Sequence, residues 1–446
     1  MNSAVKDKYW LKSGLLNIIQ NFSGVFFGFG SFYFLVRMLT KHDFGVWTLF
    51  MSVTTILEIT RSGLIQNALI KFISSSNYDE HPKIISASFT LSGFITAICV
   101  LLCITGGSFL SSMWDSPELT LMFYIYSFQF LLTGILTQFN CIEQANMQFS
   151  GVVVTNFIRQ FTFFSFVVLG FIFEWEIKLV HLLYVQILSV GISIFVSHCF
   201  MKSFLKLRME YFGDYVKKLF NYGKYAFGTS VSSILSGTID QMMLGALLSP
   251  AASGAYNIAI RITNLVDIPT NAVATVVFPQ SAKRMETEGP EAIKYLYEKS
   301  VGTILAILVP GLILLYFLSG YVVHFIAGDK FADSIPLLRI TLFYSLFVPY
   351  GRQFGTILDS IGQTKLNFTI VLFTAILNLT LNYWFISNLG VMGAAYATLI
   401  STFIGFIIAQ IIIKKKLNVN VLHTLVYAYR FYPEMYVKYI SKRNFN

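Results

Sequence analysis

Residues 84–108 read IISASFTLSGFITAICVLLCITGGS and contain no Asp, Glu, Lys or Arg. A helix rises about 1.5 Å per residue, so about 20 apolar residues span the ~30 Å hydrocarbon core of a bilayer. Runs of this kind recur between residues 13 and 413 of the 446-residue chain, in which only 12% of residues are charged. A soluble domain carries roughly 25% charged residues. The sequence therefore predicts an all-α polytopic membrane protein.

Hydropathy places twelve transmembrane helices along the chain. The predicted spans are residues 13–38, 44–69, 84–108, 119–140, 151–173, 179–200, 222–248, 254–279, 300–323, 335–359, 366–387 and 391–413. With the N-terminus inside, 23 of the 32 basic residues fall on the inner side and three, Lys41, Lys178 and Lys330, on the outer side. Because cytoplasmic loops are enriched in Lys and Arg, we expect both termini to be cytoplasmic.

The connection at residues 201–222 is the longest and most basic internal one. We predict an N-terminal six-helix bundle (1–200), this basic cytoplasmic linker, a C-terminal six-helix bundle (223–413) and a cytoplasmic tail (414–446). The tail alternates apolar and polar residues, which is typical of an interfacial helix on the cytoplasmic leaflet, and a docking site for a partner enzyme is the alternative.

The two predicted bundles are related by a shift of 209 residues, which lays Glu58 on Asp267 near the middle of two spans. Parallel halves of this kind are a known transporter plan, in which the substrate is handled at the interface between the halves. The alignment of the two acids therefore favours two pseudo-symmetric bundles.

Arginines lie inside several predicted spans of this otherwise apolar protein, and those singled out are Arg61, Arg159, Arg261, Arg339 and Arg352. A charge at the bilayer centre costs about 3 to more than 10 kcal/mol, so such side chains normally face a wet cavity or a partner. Arg binds phosphate through a planar fork of donors, which predicts a cargo bearing phosphate or pyrophosphate. Two arginines have simpler explanations. Arg339 is near enough to the outer surface to snorkel, and Arg61 stands three residues after Glu58, at ion-pair spacing.

Three acids, Glu58, Asp240 and Asp267, also lie in predicted spans. An acid facing a cavity either handles a coupling ion, such as a proton or sodium, or balances a neighbouring arginine, and the sequence leaves both interpretations open. Pro269 follows Asp267 by two residues and removes a backbone donor, so it predicts a kink where that acid sits.

Motifs of enzymes and of metal or cofactor sites are missing from the sequence. The six histidines and four cysteines have no ligand spacing, and the net charge of +10 comes from basic residues in short loops rather than on a soluble face. We therefore expect no catalytic residue, no metal, no cofactor and no nucleic-acid partner.

Several short motifs, built mostly from small residues, are spread over nearly the whole chain. They are Arg37-Met38-Leu39, Gly45-Val46-Trp47, Asp240 with Leu244-Gly245, Gly254-Ala255-Tyr256 with Ala259 and Arg261, and Gly393-Ala394-Ala395-Tyr396-Ala397-Thr398. The set resembles Wzx-type polysaccharide flippases of the multidrug/oligosaccharidyl-lipid/polysaccharide exporter superfamily.

The resemblance implies two six-helix lobes forming a V around a cationic cavity, in the inner membrane. It also implies alternating-access transport of undecaprenyl-pyrophosphate-linked repeat units from the cytoplasmic to the periplasmic leaflet, for O-antigen, capsule or related polymers. Arginines in the cavity would then engage the pyrophosphate, and association with the polysaccharide polymerase machinery is a further implication.

Three other functions fit parts of the sequence less well. A multidrug or cation antiporter of the same superfamily should have an acid in its first helix, and the first span has none. A lipid II flippase should have two more C-terminal helices. A membrane O-antigen polymerase or ligase needs an extended periplasmic loop, whereas the longest outer connection here lies around His324–Asp333.

Overall fold

The computed structural model describes residues 3–146, 148–202, 204 and 212–436, with the side chains of 3–18, 225–226 and 228–236 left aside. Within these ranges the chain forms sixteen α-helices and no strand. They are α1 (Ser3–Met38), α2 (Lys41–Ser75), α3 (His81–Met113), α4 (Glu118–Ala145), α5 (Ser150–Ile172), α6 (Leu179–Met201), α7 (Gly213–Leu247), α8 (Pro250–Thr263), α9 (Asp267–Thr287), α10 (Pro290–Phe317), α11 (Ser319–Ala327), α12 (Ser334–Ser345), α13 (Val348–Ser360), α14 (Thr364–Leu389), α15 (Val391–Leu417) and α16 (Val421–Met435). The predicted all-α class is confirmed.

Seven helices of the described chain, α3, α4, α5, α6, α10, α14 and α15, are long and apolar enough to cross a membrane. The apolar part of α1, Phe22–Met38, is shorter. A multi-pass membrane fold is thereby confirmed, while the number of twelve spans and the cytoplasmic position of both termini stay predictions.

Contacts group the chain into two compact units. The N-terminal unit comprises residues 1–235 with 249–251, and the C-terminal unit comprises 236–248 with 252–446. The predicted linker at 201–222 lies mostly outside the described residues, so the predicted domain boundaries stay a prediction.

The N-terminal unit is built around α4, which packs against α2, α3 and α6, while α5 packs against α1 and α6. Aromatic side chains fill the contact between α2 and α4: the ring of Phe50 lies 5.3 Å from that of Phe123 and 5.5 Å from that of Tyr126. The chain enters α2 through Thr40, whose hydroxyl accepts a hydrogen bond from the Asp43 backbone N–H. Such a cap satisfies one of the free donors at a helix start.

Two predicted spans of the C-terminal unit are interrupted. The predicted span 254–279 consists of α8 and α9, separated by a 3-10 turn at Asn264–Val266. Pro269 lies in the first turn of α9, where the backbone donor that proline lacks has no intrahelical partner, so the predicted kink at Asp267 is confirmed as a helix break. The predicted span 335–359 is likewise two helices, α12 and α13, and Pro349 lies in the first turn of α13.

The core of the C-terminal unit lies among α9, α10, α13 and α15, and it includes Tyr297, Tyr350 and Phe354. The tail helix α16 packs against α10. A Cβ at Gly302 would collide with Tyr427 and the Thr424 backbone, so the two helices meet at a position that only glycine fits. The predicted helix in the tail is therefore present, and one of its faces is held by the protein.

Candidate functional site

A polar cavity of about 400 Å³ lies inside the N-terminal unit. Four helices line it with one face each: Met51, Thr54, Thr55 and Glu58 of α2; Tyr126, Gln129 and Thr133 of α4; Arg159, Gln160 and Phe163 of α5; and Gln186, Ser189 and Val190 of α6. Residues three and four apart share a helix face, which is why these side chains converge. The unit therefore holds a hydrophilic site within apolar helices.

Glu58 and Arg61 form a closed ion pair beside this cavity. An Nη2–Oε2 distance of 2.6 Å joins them, and the Arg61 side chain is only 1% exposed. Arg61 also donates to the Phe130 backbone carbonyl at 2.6 Å, and its guanidinium lies 4.1 Å from the centre of the Phe130 ring. Hydroxyls of Tyr126 and Thr133 donate to Glu58 Oε1. The sequence allowed two interpretations of Arg61, a phosphate-binding residue of a cavity or an ion-pair partner of Glu58, and the structure contains the ion pair.

Arg159 is placed differently, because it lines the cavity itself and is partly exposed. Its Nη2 donates to Asn156 Oδ1 at 3.2 Å, one turn earlier on α5. Glu58 acts on Arg159 electrostatically without a direct ion pair. Since Arg61 already neutralises Glu58, Arg159 adds a positive charge that is available to an anion entering the cavity.

Sequence reasoning missed three glutamines of the cavity, Gln129, Gln160 and Gln186. Gln129 Nε2 donates to Gln186 Oε1 at 3.0 Å. Among the described residues, the buried Oε1 atoms of Gln129 and Gln160 have no hydrogen-bond donor. The signal available in the sequence was an amide at helical spacing from other polar residues in an apolar span, as in Tyr126, Gln129 and Thr133.

In the C-terminal unit, Arg261 stands near the end of α8 and has an exposed side chain. Its Nε donates to Asn257 Oδ1 at 3.1 Å, and Asn257 in turn donates to Gln241 at 3.1 Å. These buried amides hold the Nε side of the Arg261 guanidinium in place.

Asp267 and Arg352, at the start of α9 and in α13, act on each other electrostatically. Asp267 therefore has an arginine neighbour, although Arg352 rather than Arg261 supplies the charge. Arg339 donates from Nε to Ser319 Oγ at 2.9 Å and lies 5.6 Å from the Tyr316 ring. The structure brings none of these groups to Asp240, whose partners are different.

Asp240 of α7 is 6% exposed and is surrounded by neutral donors. Thr398 and Tyr256 donate to its Oδ2 at 2.6 and 3.0 Å, and Asn382 donates to its Oδ1 at 2.6 Å. No ion pair between Asp240 and a basic side chain occurs in the described part of the chain. Asn382 Oδ1 is buried in the same region and has no donor among the residues that the structure describes. The cluster thus offers oxygen atoms and a carboxylate that no described arginine or lysine neutralises.

Groups of three or more His, Cys, Asp or Glu that could hold a metal are absent from the described residues. The expectation of no metal and no cofactor stays a prediction.

Helices that cross a membrane and carry buried charges around a polar cavity define a membrane transporter as the class of protein. The family model described as polysaccharide biosynthesis protein matches residues 34–336, and the chain belongs to that family. The predicted resemblance to Wzx-type polysaccharide flippases is thereby confirmed.

Two relatives of this chain are named for roles in lipopolysaccharide or glycan biosynthesis. The lipopolysaccharide biosynthesis protein WzxC of Escherichia coli is 20% identical over 379 residues, which cover 85% of this chain and 74% of WzxC. The low-salt glycan biosynthesis flippase Agl15 of Haloferax volcanii, named as probable, is 26% identical over 189 residues. That match covers 42% of this chain and 39% of Agl15.

Solved structures show the same fold. The lipid II flippase MurJ, in an inward closed conformation, matches with a TM-score of 0.75 and 16% identity over 96% of this chain and 92% of MurJ. An inward-facing multidrug transporter of the MATE family matches with a TM-score of 0.74 and 14% identity over 88% of this chain and 94% of its own. A lipid flippase and a multidrug transporter therefore share this fold, so the fold alone does not distinguish the two functions.

Proposed function

We propose that this protein is a flippase that translocates undecaprenyl-pyrophosphate-linked oligosaccharides. It moves them from the cytoplasmic to the periplasmic leaflet of the inner membrane by alternating access, for O-antigen, capsule or a related polysaccharide. Its membership in a polysaccharide biosynthesis family supports this function. The observation that carries the proposal is Arg159, a guanidinium that lines a polar cavity within apolar helices.

Arg159, Arg261 and Arg352 are the arginines we assign to the pyrophosphate. Arg159 lines the cavity, and the side chains of Arg261 and Arg352 are exposed rather than enclosed by the protein. A planar guanidinium can donate two parallel hydrogen bonds to a phosphate, and it keeps its charge in a membrane protein. We assign Arg61 to charge balance because its guanidinium is enclosed by Glu58, Phe130 and Thr133.

Asp240 is the acid we assign to ion coupling. A buried carboxylate is costly unless a cation or proton neutralises it, and the described neighbours of Asp240 are neutral. A proton on the carboxylate or a sodium ion among the surrounding oxygens would supply that neutralisation. Glu58 is paired with Arg61, so charge balance is sufficient for that acid, while Asp267 is a second candidate for ion coupling.

The membrane potential supplies a second driving force. A pyrophosphate diester carries about two negative charges, and an inside-negative potential favours outward movement by roughly 2.3 kcal/mol per charge per 100 mV. The coupled ion then resets the empty carrier. A polysaccharide polymerase associated with the flippase would receive the translocated lipid-linked oligosaccharide at the periplasmic leaflet.

The test uses proteoliposomes that contain fluorescent undecaprenyl-pyrophosphoryl oligosaccharide. Arg159→Ala should slow flipping about 10- to 100-fold, since a charged hydrogen bond contributes about 1.5–3 kcal/mol. Arg159→Lys should restore flipping only in part, because an ammonium group lacks the planar fork. Arg284→Ala is the control, because Arg284 forms a surface pair with Glu288 away from the cavity.

Flipping at the unmodified rate in Arg159→Ala would refute the role of this arginine. If the unmodified protein flipped no lipid but transported a fluorescent organic cation against a proton gradient, the function would instead be that of a multidrug antiporter.

A further inference from the structure

The cavity of the N-terminal unit contains more polar groups than a pyrophosphate requires. Gln129, Gln160 and Gln186 line it together with Arg159. Gln129 is 7% exposed, and one end of its amide is held by Gln186 while the other end has no partner among the described residues. A buried polar atom without a hydrogen bond costs about 1–3 kcal/mol, so a rotation of the amide that brings this oxygen to a donor on a ligand in the cavity is favoured.

The unpaired atoms are the carbonyl oxygens of Gln129 and Gln160, and these oxygens accept hydrogen bonds. Phosphate oxygens also only accept hydrogen bonds, so a pyrophosphate cannot satisfy them. A sugar hydroxyl or acetamido N–H can, because both groups donate. The donors of Arg159 and the acceptors of the glutamines therefore suit two adjacent parts of one molecule.

We propose that Gln129, Gln160 and Gln186 form the subsite for an uncharged sugar, bearing hydroxyl or acetamido groups, that is attached to the pyrophosphate. This inference rests on the proposed function and adds which chemical group of the cargo the N-terminal cavity binds.

The size and apolar lining of the cavity agree with this occupant. A volume of about 400 Å³ is at the low end of the roughly 300–1,000 Å³ typical of small-molecule sites, so it suits one sugar with its phosphate rather than a whole oligosaccharide. The ring of Phe163 also lines the cavity and is stacked on Trp47 with 6.4 Å between ring centres. A fixed aromatic face can pack against the C–H face of a sugar.

The experiment measures equilibrium binding to the full-length protein in lipid nanodiscs. The two probes are undecaprenyl pyrophosphate and undecaprenyl-pyrophosphoryl-N-acetylglucosamine, which differ only in the sugar. Gln129→Leu should weaken binding of the sugar-bearing lipid about tenfold, because it removes an acceptor for a sugar donor. Gln186→Leu should weaken it to a similar extent, because it removes the hydrogen bond that positions the Gln129 amide. Affinity for the bare lipid should stay within about twofold, which also shows that the variants are folded.

Gln138→Leu is the matched control. Gln138 is a buried glutamine on the same helix, α4, but it is paired with Ser88 and does not line the cavity. This variant should leave the ratio of the two affinities unchanged. Arg159→Ala should weaken both lipids together.

Equal weakening of both lipids by the Gln129 and Gln186 variants, or no weakening of either, would overturn the sugar subsite. A different result would contradict the proposed function itself. If the unmodified protein bound neither lipid, both the flippase function and the sugar subsite would be refuted.

Discussion

Two acids inside the protein, the partly buried Glu58 and the buried Asp240, lie in different units and are stabilised in opposite ways. In the N-terminal unit, Glu58 is joined to Arg61 by a 2.6 Å ion pair. In the C-terminal unit, the described partners of Asp240 are the neutral groups of Thr398, Tyr256 and Asn382. A carboxylate paired with a guanidinium needs no further charge. A carboxylate surrounded by hydroxyls and amides still needs a positive charge or a proton. This difference separates an acid with a structural role from one that can bind a mobile ion.

The largest effect is expected from removing the arginine of the closed pair. Arg61→Ala leaves Glu58 partly buried without its cation, and breaking such a pair costs about 3–5 kcal/mol. We expect a large loss of thermal stability in detergent, measured by the unfolding of the purified protein. The double variant Glu58→Gln/Arg61→Met should recover much of the loss, because it leaves no buried charge.

Arg284→Ala serves as the control for that measurement. Its pair with Glu288 is exposed and 3.6 Å long, so its loss should change stability by about 0–1 kcal/mol. Equal destabilisation by Arg61→Ala and Arg284→Ala would mean that the Glu58 pair is not a buried structural pair.

A smaller effect, on transport rather than folding, should follow from neutralising Asp240. In proteoliposomes at zero potential, we expect an imposed sodium or proton gradient to accelerate flipping in the unmodified protein. Asp240→Asn should reduce that acceleration at least about tenfold, since the charge that holds the ion is gone. Glu58→Gln should retain it, because Glu58 is already neutralised by Arg61.

If Glu58→Gln removes the gradient response and Asp240→Asn keeps it, the assignment of ion coupling to Asp240 and of charge balance to Glu58 is wrong. If neither gradient accelerates the unmodified protein, ion coupling through Asp240 is excluded, and the membrane potential alone drives transport.

The smallest effect is expected from removing one hydroxyl next to each acid. Tyr256 donates to Asp240 at 3.0 Å, and Tyr126 donates to Glu58 at 3.1 Å. Tyr256→Phe should raise the ion concentration for half-maximal stimulation about two- to tenfold, the value of one hydrogen bond of 0.5–1.5 kcal/mol. Tyr126→Phe is the matched change in the other unit and should leave that concentration unchanged. A similar shift in both variants would show that the ion response does not distinguish Asp240 from Glu58.

The parts of the site that could be predicted are those encoded locally. Glu58 and Arg61 are three residues apart, so their pairing follows from helix geometry alone. The break before α9 follows from Pro269, whose effect is confined to one turn. In the same way, apolar length alone was enough to predict a multi-pass helical protein.

The remaining parts depend on contacts between distant segments. Asp240 is bound by residues 16, 142 and 158 positions away, and no spacing rule predicts such partners. The same applies to Gln129 and Gln186, which are 57 residues apart and meet because α4 packs on α6. Hydropathy also could not show that the span at 335–359 is two helices, since both of its halves are apolar.

The contact between α10 and the tail helix α16 bears on genetics and on protein engineering. Glu298 is 2% exposed. It accepts a hydrogen bond from the Asn420 backbone N–H, and its Oε2 lies 3.2 Å from His423 Nδ1. A stop codon soon after Leu417 would remove both partners and uncover the surface at Gly302, so the loss of α16 would behave as a core mutation. Affinity tags therefore belong beyond Met435, and alleles that lack α16 should be read as losses of folded protein.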